Sequence, residues 1–331
     1  MTLYNRRSVL GLAAAAAGLM ASAAVPAFAA DPVTLRFATA ASATDIRVPG
    51  FVAFADAIKD FATFEPHYNA TLFQQGTEPV AIQRGNLEMA IISPQDLAKQ
   101  IPGFSIFTAG YLIRDPEHLI KVFDSDVGAE MYKMVEDQMG FKVLTVIYAG
   151  TRQLNLRGDR EIKVPADLAG VKLRMPATEA WQFLGRALGA SPTPMALGEV
   201  YTGLQTGAID GQDNPLPTVR DSKFYEVTNQ IVLTGHTVGM DFLVISKKVF
   251  DSFTPEQQQK LVDAAKTAFG DVRRTQVATE AELGDFFKSQ GLEVYTPDVD
   301  AFRAQVQKAY LESDYARDWP AGMLDRINAI Q

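Results

Sequence analysis

The chain has 331 residues, of which 47% are hydrophobic, so it is long enough for two domains and apolar enough to bury a core, which excludes wholesale disorder. Its 31 lysine and arginine residues against 39 aspartate and glutamate residues give a formal charge of −8, which argues against nucleic-acid binding. Cysteine is absent and histidine occurs three times, so the composition excludes a thiol nucleophile or disulfide framework and predicts no metal site and no cofactor.

The first 29 residues have the parts of a secretory signal peptide. Arg6 and Arg7 form a basic start, residues 9–20 form an alanine-rich apolar run, and residues 27–29 (Ala-Phe-Ala) form a cleavage site of the A-x-A kind. The apolar run is too short for a confident membrane span. We therefore expect export to the periplasm by the Sec or the twin-arginine route, which leaves a mature chain with a formal charge of −10.

Short β-like runs alternate with helical patterns in the first half of the mature chain. The predicted elements are strands over residues 33–39, 69–74, 88–93 and 142–148, and helices over residues 51–64 and 116–139, the second helix ending at Gly140. This alternation indicates an α/β protein with largely parallel strands.

The pattern restarts near Gly150. The predicted elements of this half are strands over residues 170–176, 230–233 and 242–245, and helices over residues 178–188, 198–206 and 254–290. The last helix has Thr254 as N-cap, a possible capping box with Gln257, and Gly291 as its stop. Its ~36 residues would span about 54 Å, which favours one helix lying across two domains over two helices broken near Gly270.

Two arginines and an asparagine are candidate ligand contacts. Arg152 directly follows one predicted strand and Arg174 lies at the end of another, and in open α/β sheets ligands bind beyond the carboxyl ends of strands. An arginine there can hold a carboxylate by two parallel hydrogen bonds, although each arginine could equally pair with a surface carboxylate. Asn214, within residues 211–215 (Gly-Gln-Asp-Asn-Pro), offers a donor and an acceptor, although this segment could be a plain helix-to-strand turn.

An ordered set of motifs resembles the substrate-binding proteins of TRAP (tripartite ATP-independent periplasmic) transporters, of the DctP type. The motifs are residues 151–153 (Thr-Arg-Gln), 173–176 (Leu-Arg-Met-Pro), 189–195 (Gly-Ala-Ser-Pro-Thr-Pro-Met), 209–215 (Ile-Asp-Gly-Gln-Asp-Asn-Pro) and 223–227 (Lys-Phe-Tyr-Glu-Val). The similarity covers the mature chain but is looser before Gln95, where residues 73–78 (Phe-Gln-Gln-Gly-Thr-Glu) replace the family's Pro-x-x-x-Leu-Gly segment.

The resemblance implies a two-domain, Venus-flytrap-like α/β binding protein with a long helix spanning both domains. The expected division is lobe I from residues 30–149 plus about 240–279, and lobe II from residues 150–239 plus about 280–331. Such a protein captures a small carboxylate-bearing solute, as a monomer, and delivers it to the small and large permease subunits in the membrane. The alternatives are an amine-bearing or other solute, or a periplasmic enzyme acting on a small organic acid; no catalytic motif supports the enzyme.

The resemblance also assigns site residues. Arg174 matches the arginine that forms a salt bridge with the ligand carboxylate, Arg152 matches a second pocket arginine, and Asn214 matches the pocket asparagine. Compared with the sialic-acid-binding branch of the family, Ser93 replaces an acidic residue and Asp96 a basic one.

Two further departures from that branch are Leu197 in place of an aromatic and Ala177 in place of an asparagine, and together these changes make sialic acid an unexpected ligand. Asp45, Asp96 and Asp241 are predicted to accept hydrogen bonds from ligand hydroxyl or amine groups, with solvated loop positions as the alternative. Trp181 is predicted either to stack on the ligand or to belong to the core.

Overall fold

The computed structural model describes residues 32–331, so the predicted signal peptide and its cleavage site lie outside the described residues. Within that part of the chain, none of the helices combines the length and the apolar character needed to cross a membrane.

The strands of residues 32–331 form one mixed sheet. They are β1 Val33–Ala38, β2 Ala62–His67, β3 Met89–Ile92, β4 Phe141–Leu156, β5 Lys172–Met175, β6 Ser191–Pro194, β7 Gly211–Pro215, β8 Gln230–Ser246 and β9 Glu293–Tyr295. Their order is β2-β1-β3-β8-β4-β7-β5-β6, with β9 beside β8. The strands on the two flanks pair in parallel, as predicted, whereas the central pairs β3–β8, β8–β4 and β4–β7 are antiparallel.

Helices cover the sheet and extend beyond it. They are α1 Val48–Ile58, α2 Glu78–Gln83, α3 Pro94–Leu97, α4 Pro116–Phe123, α5 Asp126–Met139, α6 Glu179–Ala187, α7 Val200–Thr206, α8 Leu216–Asp221, α9 Lys247–Phe250, α10 Pro255–Ser289, α11 Val299–Leu311, α12 Tyr315–Asp318 and α13 Met323–Ala329.

Two long strands, β4 and β8, connect the flanks of the sheet. They have 16 and 17 residues and pair along most of their length, with three register shifts. The prediction of separate strands over residues 230–233 and 242–245 is therefore wrong, because β8 continues through Gly235 and Gly239. The mixed two-domain α/β fold is confirmed, while the exact boundaries of the two lobes stay a prediction.

Helix α10 is a single helix of 35 residues, as predicted, and it is unbroken at Gly270. The capping box forms at its start, where the Thr254 N–H donates to Gln257 Oε1 over 2.9 Å and the Gln257 N–H donates to Thr254 Oγ1 over 3.3 Å. Its first half packs Leu261 into one hydrophobic core, with β1 and α1, and its second half packs Phe287 into another, with α7. The helix thus contributes to the cores on both sides of the molecule.

Three predictions in the first half of the described chain are wrong. Residues 69–74 form a loop, because Asn69 and Ala70 have positive φ angles of 57° and 54°, which an extended strand cannot contain. The strand lies earlier, at β2, where it pairs in parallel with β1. Helix α1 consequently ends at Ile58 and not at residue 64. The helix predicted over residues 116–139 is divided in two, with Ser125 as N-cap of α5.

Candidate ligand-binding site

A cavity of about 130 Å³ lies between the two flanks of the sheet. Its lining includes all eight predicted site residues, namely Asp45, Ser93, Asp96, Arg152, Arg174, Trp181, Asn214 and Asp241. It also includes residues that the sequence analysis did not assign, among them Arg47, Gln75, Glu78 and Asp221. The structure thus brings the predicted residues together, while their contact with a ligand stays a prediction.

Arg174, on β5, is a fully buried guanidinium at this cavity. Its Nε donates to the carbonyl oxygen of Met195 over 2.8 Å, and its Nη2 lies 3.4 Å from Gln75 Oε1. Among residues 32–331, no carboxylate lies within salt-bridge distance of it. Burial lowers the pKa of Arg174 to about 9, because the charged form has lost its water and the negative charge of Asp213 only partly offsets this loss. A carboxylate arriving here would supply a salt-bridge partner.

Arg152, on β4, is already paired. Its Nε donates to Asp213 Oδ2 over 2.6 Å, and its guanidinium carbon lies 4.5 Å from the centroid of the Trp181 ring. Arg152 therefore pairs with a carboxylate of the protein, as the alternative predicted, whereas Arg174 does not. The partner of Arg152, Asp213, is a buried residue of β7 and not a surface carboxylate. Trp181 is both a core residue and a cavity-lining one.

Asp213 connects Arg152 to a buried histidine. His236 Nε2 lies 3.1 Å from Asp213 Oδ2, and both side chains are fully buried. Burial alone would raise the pKa of Asp213, but the charge of Arg152 and the hydrogen bond from His236 hold that pKa well below its usual range. The carboxylate therefore stays ionised and fixes the orientation of Arg152.

Asn214 lies in β7 and not in a turn. The strand pairs with β4 on one side, where Asn214 is opposite Gln153, and with β5 on the other, where Gln212 is opposite Arg174. Its polar side chains satisfy one another, since Asn214 Nδ2 donates to Gln212 Oε1 and Gln212 Nε2 donates to Asn155 Oδ1. This internal pairing is why a polar segment tolerates complete burial.

Asp45 and Asp241 share an arginine, Arg47, that is only 11% exposed and that was not predicted from the sequence. Arg47 Nε and Nη2 donate to the two oxygens of Asp45 over 2.8 and 3.0 Å, and Nη1 donates to Asp241 Oδ2 over 2.7 Å. Burial alone would raise the pKa of Asp45, but Arg47 brings it below its ordinary value. The only signal in the sequence was the Asp-x-Arg spacing before α1, which is common on protein surfaces.

Glu78 and Asp96 also line the cavity, and together with Asp45 and Asp241 they form its acidic wall. Ser93 Oγ donates to Asp96 Oδ2 over 2.8 Å, and Ser93 is also the N-cap of α3. The Gly76 N–H donates to Glu78 Oε2 over 2.6 Å. Burial raises the pKa of Glu78 to about 7, and it also raises the pKa of Asp96. Near neutral pH, this wall can therefore both accept and donate hydrogen bonds.

The fold and the cavity together define a two-domain binding protein whose site includes a buried guanidinium, Arg174, with no salt-bridge partner among residues 32–331. The chain belongs to family 7 of the bacterial extracellular solute-binding proteins, which it matches over residues 37–317. This confirms the resemblance to the DctP-type proteins of TRAP transporters.

Individual relatives support the same assignment. The chain is 32% identical to the sialic acid-binding periplasmic protein of Vibrio cholerae, over 85% of this chain and 88% of that protein. It is 30% identical to the 2,3-diketo-L-gulonate-binding periplasmic protein of Escherichia coli K12, over 90% and 92% of the two chains. A solved TRAP periplasmic solute-binding protein from Roseobacter denitrificans, with bound 3-deoxy-D-manno-oct-2-ulosonic acid (KDO), is 52% identical, with a TM-score of 0.89 over 91% of this chain and 100% of that chain.

Proposed function

We propose that this protein captures a sugar acid of the 3-deoxy-2-ulosonic class, such as KDO, in the periplasm and delivers it to a TRAP permease. The observation that carries the proposal is Arg174, a fully buried guanidinium at the cavity that has no carboxylate partner within residues 32–331. The choice of ligand class is supported by the 52% identical Roseobacter protein that binds KDO.

Binding begins with the ligand carboxylate at Arg174. A guanidinium presents two parallel N–H donors to a carboxylate, and the pair strengthens as the cavity closes and water leaves. Arg152 is held by Asp213 and Trp181, so it adds a fixed guanidinium nearby, whose charge Asp213 partly neutralises. The acidic wall with Glu78 and Asp96 receives the hydroxyl groups of the ligand.

We also propose how the protein acts as a unit. The two lobes close on the ligand by bending where β4, β8 and α10 connect them. The monomeric closed form docks on the small and large permease subunits and releases the ligand chemically unchanged, so the protein is a carrier and not an enzyme. NMR of the ligand recovered after long incubation tests this last point, because any new species would indicate turnover.

Calorimetry tests the ligand assignment. We expect wild type to bind KDO, and Arg174→Ala to weaken binding by at least about 30-fold, because a buried charged pair would be lost. Arg274→Ala, at an exposed position on α10, is the matched control and should bind as wild type does. Binding of KDO by Arg174→Ala within threefold of wild type would refute the role of Arg174, and the absence of binding by wild type would refute the ligand class.

A further inference from the structure

Asp221 carries a buried carboxylate oxygen that has no hydrogen-bond partner within residues 32–331. It is the last residue of α8, and its side chain is 10% exposed. Its Oδ1 accepts a hydrogen bond from Arg220 Nε over 2.9 Å, whereas Oδ2 has no partner within hydrogen-bond distance. The backbone N–H of Ile46 lies near the carboxylate and partly offsets the effect of burial on its pKa. Asp221 lines the same cavity as Arg174.

An unpaired Asp221 Oδ2 is unusual, because buried polar atoms in folded proteins are nearly always hydrogen-bonded. In the described part of the chain, two other buried side-chain atoms share this property, Thr237 Oγ1 and Gln276 Oε1. Neither of those residues lines the main cavity, since Thr237 belongs to a smaller adjoining pocket. Among the described residues that line this cavity, Asp221 Oδ2 is thus the buried side-chain acceptor without a hydrogen-bond partner.

The other acidic side chains of the cavity have partners of their own. Asp45 and Asp241 bind Arg47, Asp96 accepts from Ser93, and Glu78 accepts from a backbone N–H. Asp221 differs from them because its second oxygen is itself buried and has no hydrogen-bond partner within residues 32–331.

The surroundings of Asp221 narrow the chemistry of that donor. Asp45 lies close enough to add to the effect of burial in raising the pKa of Asp221, so a second carboxylate on the ligand would be repelled here. An ammonium group needs three acceptors, whereas Asp221 Oδ2 is a single unsatisfied acceptor. A hydroxyl group brings one proton for one unsatisfied acceptor and fits without either conflict.

We propose that Asp221 Oδ2 accepts a hydrogen bond from a hydroxyl group of the bound sugar acid, and that Asp221 thereby selects polyhydroxy acids over dicarboxylates. This inference rests on the proposed function and adds a specificity-determining residue to it. The side chain binds the hydroxyl directly, whereas Arg220 only orients the carboxylate.

A cycle of protein and ligand changes tests the contact. The probes are KDO and a set of monodeoxy analogues, each lacking one hydroxyl group, measured by calorimetry against wild type and Asp221→Ala. We expect Asp221→Ala to weaken KDO binding by about 10- to 100-fold, as expected for the loss of a hydrogen bond to a charged group. One analogue should bind wild type more weakly than KDO does, by a similar factor. That analogue and KDO should bind Asp221→Ala with equal affinity.

Two further variants keep the test decisive. Arg220→Gln removes the ion pair but leaves the carboxylate, so the preference for KDO over that analogue should persist. Asp221→Asn keeps the side-chain shape but lacks the negative charge. If Asp221→Ala does not fold, Asp221→Asn replaces it in the test, and we expect it to prefer KDO over that analogue less strongly than wild type does.

The outcomes also separate this inference from the proposed function. If wild type binds none of these acids, the proposed function itself fails. If wild type binds KDO, and Asp221→Ala binds it within twofold of wild type or loses affinity equally for every analogue, then only the role of Asp221 is overturned.

Discussion

Arg174 illustrates a conflict between stability and function at a single residue. Its guanidinium is fully buried, and its hydrogen-bond partners are the carbonyl oxygen of Met195 and, over 3.4 Å, the amide oxygen of Gln75. Removing a charge from water without an ionic partner is costly, and this cost is present whenever the ligand is absent. The site is therefore prepared for an anion at the expense of the ligand-free fold.

We predict that Arg174→Met stabilises the ligand-free protein and abolishes ligand binding. The apolar side chain fills part of the same volume without the desolvation cost, so the free energy of unfolding should rise by about 0.5–2 kcal/mol. Chemical denaturation without ligand measures this gain, and calorimetry with KDO measures the loss of binding. A variant less stable than wild type would show that the hydrogen bond to Met195 outweighs the cost of burying the charge.

Glu78 should make stability depend on pH. Burial raises its pKa in the folded protein to about 7, above its ordinary value of 4.5, so the folded state holds this proton more tightly than the unfolded state does. Its contribution is complete below pH ~4.5 and is lost as the pH rises to ~7. Between these pH values, we expect wild type to lose up to about 3 kcal/mol more than Glu78→Gln, measured by urea unfolding. Parallel pH profiles for the two proteins would contradict this.

Site residues that lie within sequence motifs could be predicted, whereas those brought to the cavity only by contacts between distant segments could not. Arg174, Arg152 and Asn214 were found because each lies within a motif of the family. Arg47 and Asp221 were missed, because an arginine near an aspartate in sequence is usually a solvated pair. Only the fold brings them to the same cavity.

At the level of elements, those with strong local sequence signals were predicted correctly, whereas the buried polar strand β7 was not. The capping box and the terminal glycine fixed both ends of α10, and the proline after residue 175 fixed the end of β5. In contrast, β7 consists of glycine, polar residues and proline, which alone indicate a turn. It is a strand because β4 and β5 pair with it on both sides, and contacts between distant segments leave no periodicity in the sequence.

Glycines at two positions of the connecting elements should respond oppositely to alanine. Gly270 lies inside α10, and a Cβ there would meet nothing within 4 Å, so Gly270→Ala should stabilise the protein by about 0.5–1 kcal/mol. Gly150 lies in β4 with a φ of 102°, and a Cβ there would overlap Pro215 and Glu280. Gly150→Ala should therefore destabilise the protein by about 2 kcal/mol or more. Denaturant unfolding of both variants checks the contrast, and equal signs would contradict it.

At the scale of the whole molecule, one side chain links the two flanks of the sheet across the cavity. Gln75 follows β2 on one flank, whereas Arg174 and Leu197 belong to the other, and β8 and β4 lie between the flanks. Gln75 Oε1 accepts a hydrogen bond from the Leu197 N–H over 3.0 Å and faces Arg174 Nη2 at 3.4 Å. The neutral amide oxygen of Gln75 thus lies between the Leu197 N–H and the Arg174 guanidinium. An anionic oxygen at this position would interact more strongly with both donors.

We therefore predict that Gln75→Glu blocks the site from within. A carboxylate at this position would form the salt bridge that Arg174 lacks, which should raise the melting temperature of the ligand-free protein. The same carboxylate would compete with that of the ligand and repel it, so the affinity for KDO should fall by at least about tenfold. Differential scanning calorimetry and titration calorimetry measure the two effects.

Gln74→Glu is the matched control, because it adds the same charge at the preceding, exposed position. It should leave both the melting temperature and the affinity close to wild type. Equal effects of the two variants would indicate a general effect of added negative charge, and a Gln75→Glu protein that binds KDO as wild type does would show that Gln75 lies outside the path of the ligand carboxylate. The predicted result, opposite changes in stability and affinity at residue 75 alone, requires that the two flanks meet at Arg174 when the cavity is closed.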